Sequence, residues 1–378
     1  MPITIKKFET YEVIVPAHEG TIESKGINKP LHKLPSGATP SYSIQFDRLP
    51  KLILKMHLSN GIIGWGECYR DHNWAQVEAI IKVLLGRDIH QLSLQKLPFT
   101  FCREYDGFEC AIWDAYAKCH KMRVVDLLGG AVQDKVKIGA WSSHRSIEDI
   151  GPLVSNYAEM GFDCIKFKTD LEDDVVAWCT EIAKVAPGMQ VILDPNERWQ
   201  YPGEVRKRAK VLEGIGNVLC LEDPLPRWRL NEYALLRSFT SVPIVLHVSL
   251  PYILHGQRIK DAIQAIQAEA VDGFNFNGGL ANFQRLDHIA TAAGLPCWHG
   301  SELDLGILET MYVHSAAAAS SCIWPSDIFG RLIRTHDLLE EPLKMEPPYV
   351  YLPDGPGLGV APDEEALKQF AIGTRKFA

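Results

Sequence analysis

Apolar and polar residues alternate over positions 3–15 (ITIKKFETYEVIV) and again over 51–58 (KLILKMHL). A period of two argues for strands with one face buried. The second run meets the turn Ser59-Asn60-Gly61 and then IIGWGE, so the N-terminal part reads as a small antiparallel sheet. Residues 17–45, between the two runs, are polar and rich in Gly, Pro and Ser. So long a connection inside a compact domain points to a lid over a site or to disorder. Over 73–87 and 107–128 the period lengthens to that of a helix, and the second run stops at Gly129-Gly130.

From residue 136 short apolar runs alternate with amphipathic ones. Strands are predicted at 137–141, 164–168, 191–194, 218–222, 243–247, 273–277, 296–299 and 322–325. Helices are predicted between them, for instance at 147–160, 172–185, 254–268, 281–293 and 306–319. Eight such units at about 25–30 residues each describe an α/β chain whose core is a (β/α)₈ TIM-type barrel. A doubly wound sheet would carry fewer strands and a glycine fingerprint after the first. The domain reading is an N-terminal α+β capping domain over 1–130, the barrel over 131–340, and a Pro- and Gly-rich segment over 341–378 that packs back on the cap.

Composition narrows the class. With 378 residues, 46% hydrophobic and 23% charged, the chain has the make-up of a soluble globular protein large enough for two domains. The net charge of -8 is spread along the sequence, which speaks against nucleic acid as a partner. No stretch approaches the roughly 18–20 apolar residues of a membrane span, and no leader-like apolar segment opens the chain. Nine cysteines without CxxC pairs suggest reduced thiols and a cytoplasmic setting. GPGLGV at 355–360 imitates a nucleotide loop, but it follows Pro-rich coil and the sequence predicts no convincing helix after it. Neither GxSxG nor an HxH after the first barrel strand is present, which disfavours serine hydrolases and amidohydrolase barrels.

Polar residues end one predicted strand after another: Lys166 and Lys168, Asp194, Glu222, His247, Asn277 and His299. A lysine in a strand is ordinarily a solvated surface group, and an Asp before Pro is often a turn residue. Their recurrence carries the argument, because the C-terminal strand ends of a barrel converge on one mouth.

In GIIGWGE, FECAIWDAYAK before Leu127-Leu128-Gly129-Gly130, the KxK of Lys166 and Lys168, LDPNERW, LEDP, Gly278-Gly279 and WHGSELDLGI, the chain resembles the enolase superfamily over nearly its whole length. The resemblance is to the mandelate racemase and muconate-lactonizing enzyme branch. It implies removal of the proton α to a carboxylate, with a divalent metal absorbing the developing charge. It also implies Lys168 as base, Lys166 as its tuning partner and substrate contact, and Asp194 and Glu222 as metal ligands, with Asn196 orienting Asp194. Magnesium is the metal the resemblance implies, and a small carboxylate is the partner, in a homo-oligomer.

Two positions depart from that pattern. PIVLHVSL places His247 and Val248 where relatives carry an acidic ligand. His247 either ligates the metal, which then suits manganese or another softer ion, or fills space or binds substrate. At the sixth strand end stands Asn277, where relatives carry an acid; an amide there is expected to hold the His299 imidazole by a hydrogen bond without accepting a proton. One base and one acid are therefore expected: Lys168 takes the α-proton and His299 protonates a departing β-hydroxyl. Trp298 is expected to wall the pocket and Glu302 to line the mouth or cap a helix. Lys25 and His32, on the long N-terminal loop, are expected either to meet the substrate or to be solvated. The leading reading is a dehydratase of sugar acids or hydroxy amino acids. An epimerase or cycloisomerase using the same lysine is the alternative, and a metal-poor barrel that only binds a ligand is the third.

Overall fold

The computed structural model describes residues 2–27, 46–251 and 258–378. Strands β1 (Ile5–Val13), β2 (Lys51–Leu58) and β3 (Ile63–Cys68) pair antiparallel, and residues 371–377 from the chain's end add to the outer edge of β1. Helix α1 (Trp74–Leu84) starts where the Asn73 side chain accepts from Ala75 N–H, and α2 (Tyr105–Cys119) lies across the sheet. The motif GIIGWGE makes that packing possible. Gly64 and Gly66 share one face of β3, and a Cβ would fall 2.2 Å from Ala111 O at the first and 2.0 Å from Gly107 O at the second. Only glycine lets the helix backbone come so near. Glu67, 0% exposed, reaches out of this sheet to accept the N–H groups of Leu305 and Leu308.

After α3 (Val124–Leu127), the segment predicted as the first barrel strand splits in two. β4 (Lys135–Lys137) joins a C-terminal hairpin, and β5 (Ala140–Ser142) begins the barrel. There follow α4 (Ile147–Glu159), β6 (Cys164–Lys168), α5 (Val175–Val185), β7 (Gln190–Asp194), α6 (Pro202–Ile215) and β8 (Val218–Glu222). Next come α7 (Leu230–Phe239), β9 (Ile244–Ser249), α8 (Ile259–Gln267), β10 (Gly273–Asn277), α9 (Gly279–Ala293), β11 (Cys297–His299) and α10 (Gly306–Ala317). Strands β5 to β11 form one parallel sheet in chain order.

The eighth predicted strand, 322–325, is not a strand. Single bridges, Cys297 with Cys322 and Ile138 with Ser326, close the gap between β11 and the first strand. Pro325 lacks the N–H that a ladder needs, so pairing stops there. The predicted barrel helices appear within a few residues of their expected ends, except that 254–257 lie outside the described residues, whereas the helical run predicted over 107–128 breaks after Cys119 and resumes only at Val124–Leu127.

Side-chain direction alternates along each barrel strand. Cys164, Ile192, Cys220, Val245 and Trp298 pack together inside the barrel. Phe167, Leu193, Leu246, Phe274 and Phe276 join the larger core instead, toward the helices. Two residues beyond the inner apolar layer, the same faces carry Lys166, Asp194, Glu222 and His247, so the polar cluster sits directly above it.

Candidate active site

Lys166 Nζ stands among three carboxylates: 2.6 Å from Glu222, 2.9 Å from Asp327 and 3.2 Å from Asp194. Lys168 Nζ donates to Asp194 Oδ2 at 2.5 Å, so both lysines meet the same carboxylate. Asn275 Nδ2 donates to Glu222 Oε1 at 2.7 Å, and His247 Nε2 lies 2.6 Å from Asn277 Oδ1, so the imidazole that Asn277 meets is that of His247 and not the expected His299. Strands β6 to β10 thus bring Lys166, Lys168, Asp194, Glu222, His247 and Asn277 together. Asp327 and Asn275 were not anticipated. Asp327 follows the last predicted strand just as Asp194 closes its own, and that position was the available signal. Asn275 was hidden inside GFNFN, two residues before Asn277 and on its face.

Burial sets the electrostatics. It would depress Lys166, but Asp327, Glu222 and Asp194 overcome it and hold the ammonium well above the ordinary lysine range. Lys168 goes the other way. Burial lowers it, Asp194 opposes, and the Lys166 charge adds to the lowering. Desolvation is therefore the larger cause of the shift, ahead of the like-charge repulsion expected from the KxK spacing. Burial raises both carboxylates, yet Lys168 and Lys166 pull Asp194 far below its usual value, while the Asp194 charge helps keep Glu222 high. His247 is pushed well down by burial, then by Arg227 and Lys166, and is a neutral imidazole.

The remaining expected residues are placed differently. His299 does not face the mouth. Its strand partner is Phe276, an outward residue, and its ring stacks between Phe283 of α9 (4.3 Å) and Tyr312 of α10 (4.1 Å). Burial drops its pKa to about 3, and Nδ1 meets Gly300 O at 2.7 Å. A three-residue strand with Trp298 pointing inward must turn His299 outward, so the acid role expected of it is withdrawn. Trp298 is inside, its ring centroid 5.7 Å from Lys166 Nζ. Asn196 steadies Asp194 through its backbone, the N–H donating to Oδ1 at 3.0 Å, and not through its side chain. Glu302 is held by Arg103 and lies 3.5 Å from Arg70, both of the N-terminal domain, so it joins the two parts of the chain and does not line the mouth. Lys25 is exposed, beside Ser24, whose N–H donates to His144 O. His32 lies outside the described residues.

Ligand atoms of Glu222, Asp223 and His247 lie within 4.8 Å of one another. Asp223 is engaged already, with one oxygen accepting from Arg227 Nε at 2.6 Å and the other from His247 N–H at 2.9 Å. Glu222 Oε1, which accepts from Asn275, and His247 Nδ1 lie 3.5 Å apart and could hold a cation together with Asp194 on the next strand. Anionic oxygens and a neutral imidazole on adjacent strands fit a divalent cation. A second group, His144, Asp170 and Asp173, lies in the loops after β5 and β6, where His144 Nδ1 meets Asp173 at 2.6 Å.

A parallel barrel with lysines and carboxylates at successive strand ends, capped by an N-terminal sheet, is the architecture of a family of acid–base enzymes. The model of the family described as Enolase C-terminal domain-like matches residues 151–366, and the chain belongs to that family. It is 26% identical to muconate cycloisomerase 1 of Rhodococcus opacus over 92% of this chain and 97% of that protein. It is also 26% identical to a probable glucarate dehydratase of Streptomyces coelicolor, over 84% of each. The solved structure of N-succinyl Arg/Lys racemase from Bacillus cereus superposes with a TM-score of 0.82 at 20% identity, covering 100% of both chains. The chain is an enzyme of the enolase superfamily, in the branch that includes these cycloisomerases, dehydratases and racemases. No helix among the described residues is long and apolar enough to cross a membrane.

Proposed function

We propose that Lys168 removes the proton α to the carboxylate of a small hydroxylated acid, and that water then leaves the β-carbon. The observation that supports this reading is the one-sidedness of the site. Lys166 and Lys168 stand on β6, while the inward residues of β10 and β11 that face them are Asn275, Asn277 and Trp298. None of those three exchanges a proton near neutrality. Inversion by two opposed bases finds no second base on β10 or β11 among the described residues, whereas elimination needs only one.

A divalent cation held by Asp194, Glu222 and His247 would supply Lewis-acid stabilisation of charge developing on the substrate carboxylate. The chain's own residues do the rest. Lys166, fixed by Asp327, presents a permanent ammonium to the same carboxylate. Lys168, with its lowered pKa, accepts the α-proton as the C–H bond breaks. The electron pair forms the new C=C bond as the β C–O bond breaks. Lys168 then returns its proton to the departing hydroxyl, which leaves as water, so one residue takes both parts once expected of Lys168 and His299. The substrate class is a sugar acid or hydroxy amino acid. The likeness to muconate cycloisomerase supports a second reading, in which the same lysine opens or closes a lactone without loss of water.

The test is a library of hydroxy acids and lactones incubated in heavy water with several divalent metals, with Lys168→Ala as control. A keto acid lighter by one water supports elimination. Mass-neutral isomerisation supports the cycloisomerase reading. Deuterium at the α-carbon of inverted substrate contradicts the one-base reading, and absence of exchange with every acid overturns the proposal.

A further inference from the structure

We infer that the donors at Glu222 and His247 select a borderline transition ion, manganese(II) or cobalt(II), over magnesium, and that Asn275 and Asn277 are the positioning residues behind that choice. The inference rests on the metal-assisted reading above and deepens it.

The geometry begins with His247. Its Nε2 lies 2.6 Å from Asn277 Oδ1, and a carbonyl oxygen can only accept. Nε2 therefore carries the proton, and Nδ1, 3.5 Å from Glu222 Oε1, is the ring nitrogen with the lone pair. Glu222 is oriented in the same manner, by the Asn275 amide donating to Oε1 at 2.7 Å. Two amides, two residues apart on β10, thus aim one donor each on β8 and β9. Both donors are essentially buried, Glu222 at 0% and His247 at 5% exposure.

Gly300 belongs to the same device. A Cβ there would fall 2.2 Å from the Oδ1 atoms of both Asn275 and Asn277, so any larger residue would displace the pair. The amides orient the ligands without adding negative charge. Magnesium demands near-octahedral oxygen ligation and gives up water reluctantly. Replacing an oxygen donor by an imidazole nitrogen weakens its hold and favours ions further along the transition series.

The metal-stripped full-length protein is titrated calorimetrically with magnesium, manganese and cobalt chlorides, and the manganese-loaded protein is examined by pulsed electron paramagnetic resonance. Manganese and cobalt are expected to bind at least about tenfold tighter than magnesium, with spin-echo modulation from a coordinated nitrogen. His247→Asp removes the nitrogen modulation and narrows the preference. Asn277→Leu weakens manganese binding roughly 10–100-fold, the usual effect of losing a ligand's supporting hydrogen bond. Asn277→Asp, which keeps the acceptor, restores binding in a folded protein whether or not His247→Asp folds. Equal affinity for magnesium and manganese without nitrogen modulation overturns this inference and leaves the proton abstraction standing. Absence of α-proton exchange with every metal, despite nitrogen-ligated manganese, overturns the proposed function and leaves this inference standing.

Discussion

The carboxylate of Glu109, on α2, accepts the N–H groups of Leu280 at 2.7 Å and Ala281 at 3.2 Å, at the start of barrel helix α9. One buried acid thus ties the N-terminal domain to the element that follows Asn277. It also stores a pH dependence. Burial, with help from the Asp106 charge, pushes Glu109 up to about 8, against about 4.3 for an unfolded glutamate. Between those values the folded state binds the extra proton, so its contribution to stability is full at low pH and is lost as pH rises through 8. Glu109→Gln removes that titration. The unfolding midpoint of the variant relative to wild type should rise between pH 5 and pH 9, by differential scanning calorimetry. A difference that stays constant or falls contradicts the assignment.

Lys168 is the residue on which the chemistry depends. Lys168→Ala should lower turnover of any substrate found by roughly 10²–10⁴-fold, the usual share of a general acid–base group. The circular dichroism spectrum should be unchanged, since the side chain packs against Asp194 and supports no core cluster. A variant that keeps α-proton exchange within a few-fold of wild type rules Lys168 out as base.

His299 gives the opposite forecast. Its ring is stacked between Phe283 and Tyr312 outside the barrel, so His299→Phe keeps the stack and loses only the hydrogen bond to Gly300 O. The cost should be about 1 kcal/mol of stability in urea titrations. Turnover should remain within about twofold of wild type; a general acid would forfeit about a hundredfold or more on the same change.

The glycines of GIIGWGE are structural. Gly66→Ala sets a Cβ 2.0 Å from Gly107 O on α2, a clash with backbone that no rotamer relieves. Destabilisation of about 1–3 kcal/mol is expected, as for an overpacked core. Gly61→Ala, in the open turn with no neighbour within 4 Å of the new Cβ, serves as the comparison for backbone strain alone. Equal losses at the two positions would argue against close helix approach as the reason for Gly66.

By itself, the sequence determined the alternation of strands and helices, hence the barrel class. It also determined the identities at the strand ends, hence lysines, carboxylates and an imidazole at one mouth. Those features are local, since periodicity and strand termini are written within a few residues. Which way a side chain points is not local. β11 has three residues, and only its register against β10, Phe276 beside His299, decides that Trp298 enters the barrel and His299 leaves it. A shift of one residue exchanges the two faces, and no pattern within so short a run reveals it. Asp327 lies beside Lys166 because 322–326 closes the barrel through isolated bridges, a placement without a strand period to read. Glu302 reads in sequence as a residue lining the mouth or capping a helix; it, Glu67 and Glu109 became inter-domain ties only when distant N–H and guanidinium donors came within hydrogen-bond reach. Tertiary structure decided these roles because burial and partner geometry, not residue type, decide what a carboxylate does.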